Sequence, residues 1–204
     1  MRVDFFKLDN KKLLVIKRVL FVILSVYWGF FGVIIVGRCA SRAVAYPLGY
    51  KEEVYEYSEQ YKIDKMLVFA MIKVESGFKA NAESKAGAKG LMQMTDKTAD
   101  YVAKMLGEEE YDLFDAKTNI RYGCRYLSYL FERFENRETA VCAYNAGEGN
   151  VTLWLNNPGY SDDKITLKSV PYPETREYIK KINQTFSKYK KLYGNILDKH
   201  KNFE

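Results

Sequence analysis

The first strong signal along the chain is an uninterrupted apolar run. Val19 to Val36 reads VLFVILSVYWGFFGVIIV without a single charge. At about 1.5 Å of rise per residue, a helix of this run covers most of a bilayer's hydrocarbon core of roughly 30 Å. The pattern predicts a transmembrane anchor over 19–37, after a basic segment over 1–18 and before a short connector over 38–49 that holds Pro47. Lys7, Lys11, Lys12, Lys17 and Arg18 precede the run. By the positive-inside rule they keep the N-terminus in the cytoplasm and send everything after Arg38 to the outer side in a single pass. Tyr27 and Trp28 sit mid-run rather than at an interface, which the pattern does not explain. A cleaved signal peptide is the alternative. Against it stand the run's length, since such peptides carry an apolar region of about 7 to 15 residues, and the lack of a small-residue cleavage pair before Ser41 to Ala45.

Beyond Tyr50 the apolar positions recur at helical spacing and strand alternation is nearly absent, so residues 50–194 are expected to form one mainly α domain, with 195–204 as a tail. Val54, Tyr57, Ser58 and Tyr61 mark one helix. Asp64 suits the N-cap of a second, which carries Met66 to Val74 and ends before Gly77. Asn81 to Gly90, rich in Ala, Gly and Ser, predicts loop and tight turn. Further helices are expected from Thr95 or Asp96 to a glycine cap at Gly107, from about Asp115 to Phe134, from Glu138 to Ala146, and from about Glu174 towards Tyr193, with Gly147 and Gly149 punctuating the chain before Val151 to Leu155. Asn156 to Pro173, with Pro158, Gly159, Pro171 and Pro173, reads as a long loop.

Composition narrows the function classes. With 48% hydrophobic residues, 204 positions suffice for one core of ordinary size and exclude a disordered polymer. The net charge of +6 suits an anionic partner without choosing one. No nucleic-acid-binding module is recognisable, so no nucleic acid is expected as a partner. Lys180, Lys181, Lys188, Lys190 and Lys191 read most simply as a solvated helix face, with anionic wall polymers as a second possibility. The three cysteines are far apart, none lies in a CxxC pair, and the sole histidine is His200, so no metal is expected. Cys39 follows Arg38, a poor fit to the small residue that lipid modification requires. Cys124 and Cys142 read as small buried apolar residues, with a bridge between them left open.

One carboxylate stands out. Glu75 closes the apolar stretch Phe69 to Val74 and precedes a glycine turn, a position at the rim of a core. Partial desolvation there favours the neutral carboxylic acid, which a general acid working near neutral pH needs. For an arbitrary glutamate, a surface cap or ion pair would be the better reading; the residues around Glu75 overturn it. Val74 to Met94 reads VESGFKANAESKAGAKGLMQM, followed at a distance by AYNAG at Ala143 to Gly147 and PETREYI at Pro173 to Ile179. With these three motifs in this order, the sequence closely resembles the lytic transglycosylases that cleave bacterial peptidoglycan, whose soluble-type catalytic domain shares the goose-type lysozyme fold. The resemblance covers about Tyr50 to Tyr193, except Asn156 to Val170.

The resemblance implies an all-α, lysozyme-like catalytic domain on the wall side of the bacterial cytoplasmic membrane, acting on peptidoglycan glycan strands without a cofactor. It implies Glu75 as catalytic acid and base, with Ser76 shaping its loop. By position it implies substrate contacts from Ser84, Gln93, Tyr144, Asn145, Glu174 and Tyr178, and Met92 beneath the sugar. Taken alone, Tyr144 and Tyr178 would be core residues in a chain with 17 tyrosines; motif position reverses that more firmly for Tyr144. Most glycosidases need two carboxylates, and no second one is marked out: Asp96 and Asp100 fit a helix's first turn, and Glu83 and Glu148 fit turns. The implied reaction is closure of the C6 hydroxyl on C1 to give a 1,6-anhydro sugar. A goose-lysozyme-like hydrolase and a silent wall-binding scaffold remain as alternatives, and protein partners stay unspecified.

Overall fold

The structure, a computed structural model, describes the backbone from residue 10 to residue 197 and the side chains over 14–32 and 44–194. Residues 1–9 of the basic segment, the side chains of Lys11, Lys12 and Cys39, and the tail from residue 198, with His200, lie outside the described residues. The chain divides into two compact units that part between Pro47 and Leu48.

The first unit is helix α1, Asn10–Ala45. Its stretch Leu14–Gly32 has a mean hydropathy of 1.9 and is long and apolar enough to cross a membrane. The helix continues well past the predicted end of the anchor, into the expected connector. Nothing in RCASRAVA interrupts it, and it stops where Pro47 disfavours helical backbone at the residue before it.

The second unit is built from α2 (Lys51–Gln60), α3 (Lys65–Glu75), α4 (Asp96–Leu106), α5 (Ala116–Arg133), α6 (Arg137–Ala146), α7 (Glu148–Leu155) and α8 (Pro173–Leu197). Among the described residues there is no strand, only isolated bridges between Glu83 and Lys89 and between Lys89 and Met94. Helix α3 is the axis of the fold. Every residue from Met66 to Ile72 is buried, so the helix is apolar all round rather than striped. Burial of each large side chain in it contributes about 1.5–3 kcal/mol. Helix α8 lies along α3 in the opposite direction: Tyr178 near its start meets Glu75 at the end of α3, and Lys190 near its end meets Asp64 at the start. Helices α2, α5, α6 and α7 complete the packing, and α4 rests on α5.

The helix starts follow side-chain chemistry. Asp64 accepts from the Met66 amide at 2.9 Å, Thr95 from Thr98 at 3.3 Å and Asp115 from Thr118 at 2.7 Å, while Gly107 ends α4 at a φ of +70°. The start expected at Glu138 lies one residue earlier, because Asn136 accepts from both the Glu138 and Thr139 amides, at 2.8 and 3.1 Å. Replacing Asn136 by Ala should therefore cost about 1 kcal/mol, seen as a lower urea midpoint at unchanged slope. Helix α8 runs three residues past the boundary expected at 194, to Leu197. The loop before it is pinned by Asp163, which accepts from the Ile165 and Thr166 amides, and by the Thr139 hydroxyl on the Ile165 carbonyl at 2.9 Å. Cys124 and Cys142 are both free and buried, so the open question of a bridge is answered by separate thiols.

Candidate active site

Glu75 is the last residue of α3, and the chain turns away at once. Gly77 and Phe78 both take left-handed backbone, at φ +60° and +67°, and the Phe78 ring closes over Gly49. The carboxyl group is thereby left at the end of a buried helix instead of being carried along a solvent-facing one. Burial pushes its pKa up from 4.5 to about 7, against the opposing pull of a hydrogen bond from Tyr178. No second carboxylate is among the groups that shift it. The Tyr178 hydroxyl donates to Glu75 Oε1 at 2.6 Å. Tyr178 is itself buried, and burial together with the Glu75 charge holds its phenol protonated far above the usual range.

The loop between α3 and α4 forms the neighbouring wall. Ser84 closes its tightest turn: its amide donates to the Ala88 carbonyl at 2.9 Å and its hydroxyl accepts from the Ala88 amide at 3.0 Å. Gly90 donates to the Ala82 carbonyl at 2.8 Å, and Lys89 and Met94 exchange two backbone bonds. Gln93 has left-handed backbone at φ +50°, and its side-chain nitrogen donates to the Ala82 and Gly90 carbonyls at 3.2 and 3.0 Å. That nitrogen is committed to the loop itself.

Met92 departs from expectation. Its side chain is wholly buried against Gly123, where an added Cβ would meet the Met92 sulfur at 2.3 Å. With no exposed surface it packs beneath the loop and cannot itself touch a sugar. Its backbone carries the useful contacts: the amide donates to Asn119 Oδ1 at 2.7 Å, and the carbonyl accepts from the Tyr144 hydroxyl at 2.9 Å. Tyr144 thus points at the loop, with the Glu75 charge close enough to raise its pKa further, while Tyr178 is the donor on the carboxylate. Asn145 Oδ1 accepts from the Thr175 hydroxyl at 2.8 Å, which ties α6 to α8. Glu174 is exposed in the first turn of α8, four residues before Tyr178 and so on the same helix face. Tyr126, whose ring packs 5.6 Å from that of Tyr144, also lines an open cavity of about 780 Å³ with Tyr101, Glu148 and Leu153.

Two supporting residues escaped sequence reasoning, Asn119 and Thr175, both at most 1% exposed. Asn119 had a signal: it shares the i, i+4, i+7 stripe of Gly123 and Tyr126 on the buried side of α5, where a polar residue needs partners. Among the described residues, no group of three or more His, Cys, Asp and Glu side chains comes together as a metal site would.

This geometry has close counterparts. Residues 52–167 match the family described as the transglycosylase SLT domain. The soluble lytic murein transglycosylase of Salmonella typhimurium is 34% identical over 155 residues, which make up 73% of this chain and 24% of that protein. The membrane-bound lytic murein transglycosylase C of Photorhabdus laumondii is 31% identical over 156 residues, 64% of this chain and 43% of that protein. Among solved structures, an inactive Glu→Gln variant of the lytic transglycosylase Slt from Pseudomonas aeruginosa superposes with a TM-score of 0.65 at 28% identity, covering 73% of this chain and 25% of that one. The 70 kDa soluble lytic transglycosylase of Escherichia coli gives 0.64 at 32% identity over the same shares. The chain therefore spans about a quarter of the soluble relatives' length. With a family match that takes in more than half of its residues and a helical fold shared with these structures, the chain belongs to the transglycosylase SLT domain family.

Proposed function

We propose that the protein is a peptidoglycan lytic transglycosylase that uses Glu75 alone as acid and base. The observation that carries this reading is a half-buried, largely desolvated carboxyl group with a pKa of about 7, held by one tyrosine and shifted by no second carboxylate. At neutral pH a large fraction is protonated and ready to donate, and its conjugate base is strong enough to take the proton back. Glu75 gives its proton to the glycosidic oxygen between N-acetylmuramic acid and N-acetylglucosamine. That bond breaks, and the neighbouring N-acetyl group stabilises the positive charge at C1. The Glu75 carboxylate then removes the proton from the C6 hydroxyl, whose oxygen bonds to C1. Water is not consumed, and Glu75 ends protonated as it began. Residues 50–194 hold the catalytic part, with Ser84, Gln93, Tyr144, Asn145 and Glu174 as substrate contacts beside Tyr178.

The apolar helix α1 and the membrane-bound relatives support membrane association. Single-pass topology, with the N-terminus inside and the catalytic unit facing the wall, follows from the basic residues before the span.

Muropeptides released from purified peptidoglycan by the detergent-solubilised chain test the reading by mass. Products ending in 1,6-anhydro-N-acetylmuramic acid, one water lighter than reducing ends, are expected. Reducing ends would make the protein a hydrolase, and an absence of products would make it a wall-binding scaffold.

Tyr178→Phe separates the roles around Glu75. Loss of the hydroxyl removes the one bond that lowers the Glu75 pKa, so the acid form persists to higher pH and the alkaline limb of the activity profile moves up. The maximal rate should fall about tenfold, because the hydroxyl also fixes the carboxyl group's orientation. An unmoved limb would mean that Tyr178 does not address Glu75 in solution.

A further inference from the structure

Helix α8 turns one side to the domain and leaves the other without a partner. Tyr178, Ile182 and Tyr189 face the core, whereas Lys180, Lys181, Lys188 and Lys191 stand exposed on the opposite side. Their spacing places them on one stripe, about 16 Å long at 1.5 Å per residue. The segment from Lys180 to Lys191, KKINQTFSKYKK, contains five lysines and no acidic residue. Lys180 pairs with Glu177 and Lys190 with Asp64. Among the described residues, Lys181, Lys188 and Lys191 have no ion-pair partner, and Lys188 and Lys191 repel one another at i, i+3. None of these lysines belongs to the candidate active site.

We propose that this stripe docks on an anionic phospholipid surface. Charge complementarity selects a polyanion, and the length of the tether selects the membrane among polyanions. The second unit begins at Leu48, after a helix whose charge-free run ends at Val36 and whose backbone continues to Ala45. If α1 crosses a bilayer, the helical residues beyond Val36 at about 1.5 Å each and the short linker at 3.3–3.6 Å per residue hold the start of the unit within roughly 25 Å of the hydrocarbon edge. Contact with lipid is then intramolecular and needs little intrinsic affinity. Each lysine near an anionic leaflet strengthens it about fivefold. The apolar side of α8 is occupied by the core, so the attachment is through charge alone, without insertion. The inference rests on α1 as an anchor and is independent of the catalytic reading.

The test uses the full chain in nanodiscs of phosphatidylcholine, with or without phosphatidylglycerol, labelled by an amine-reactive ester and read by mass spectrometry. Lys181, Lys188 and Lys191 should label at least about threefold more slowly in the anionic discs, with protection lost at about 0.5 M salt. Exposed Lys97 and Lys104 on α4 serve as controls and should not change. In the triple variant Lys181→Gln, Lys188→Gln and Lys191→Gln, the residual protection of Lys180 should disappear while wall-lytic activity in detergent is kept. Equal labelling in the two discs overturns the proposal. Protection by added polyphosphate in neutral discs, with none from anionic lipid, would assign the stripe to a soluble polyanion and overturn membrane docking. Failure of the chain to stay with the discs would remove the anchor and the proposal together.

Discussion

Glu75→Gln should leave a folded protein whose release of anhydro-muropeptides is about a thousandfold lower, within the range assigned to a positioned general acid and base. It should also be more stable than the parent above neutral pH. The carboxyl pKa is raised from 4.5 in the unfolded chain to about 7 in the fold. Its contribution is therefore fully present below the unfolded value and is lost as pH rises through the folded one. Above pH 7 the fold must hold a buried carboxylate, at a cost on the order of 3 kcal/mol. The amide carries no charge and still accepts from Tyr178. Thermal melts of the two proteins should coincide near pH 4 and separate towards pH 8, with the variant higher. Equal activity would remove Glu75 from the mechanism. Parallel melting curves at all pH values would mean that the carboxyl group is not buried as described.

The second large effect is expected at Gly90. Its backbone has φ +77°, and an added Cβ would lie 2.1 Å from Asn119 Nδ2 and 2.3 Å from the Leu113 carbonyl oxygen. Neither neighbour can retreat. Leu113 presents backbone, and Asn119 is held by three bonds: it accepts from the Met92 amide at 2.7 Å and donates to the Lys89 and Leu113 carbonyls at 2.9 and 2.8 Å. Gly90→Ala has to strain the turn or break that clamp inside the core, costing about 4 kcal/mol or more of the usual 5–15 kcal/mol. Gly77→Ala is the control. Its φ is +60° but no atom lies within 4 Å of the added Cβ, so only the backbone penalty of about 1 kcal/mol applies. Urea unfolding of the two variants should differ severalfold in lost stability, and equal losses would show that the clamp gives way freely.

These cases mark what was legible in the sequence. The caps at Asp64, Thr95 and Asp115 act within three residues of themselves, so local chemistry determined them. The cap of α6 went unread because Asn136 follows a charged stretch that hides the helix start. Glu75 was marked by its place at the end of an apolar run, and the motifs around it indicated the family. What bonds to what inside the site was not legible. Motif position marks Tyr144 as a site residue more firmly than Tyr178, yet it does not say what either hydroxyl meets: Tyr144 donates to the Met92 carbonyl and Tyr178 to Glu75, because each choice depends on helix packing between distant segments. The motif places Met92 beneath the sugar, but not its complete burial against Gly123, which depends on where α5 crosses the loop. Asn119 belongs with these, since its partners lie up to 30 residues away.

The hydrogen bond from Tyr178 to Glu75 joins residues 103 positions apart, and α8, the last helix among the described residues, supplies the donor. A chain cut short between Gly147 and Tyr178 carries the glutamate, the glycine-rich loop and the AYNAG segment, yet lacks the element that covers α3 and gives the carboxyl group its setting. During synthesis the setting of the carboxyl group is therefore completed only with α8, after α2 to α7 have been made. Fragments left by interrupted translation, or by trimming back past Tyr178, therefore keep Glu75 without the hydrogen bond that addresses its carboxyl group.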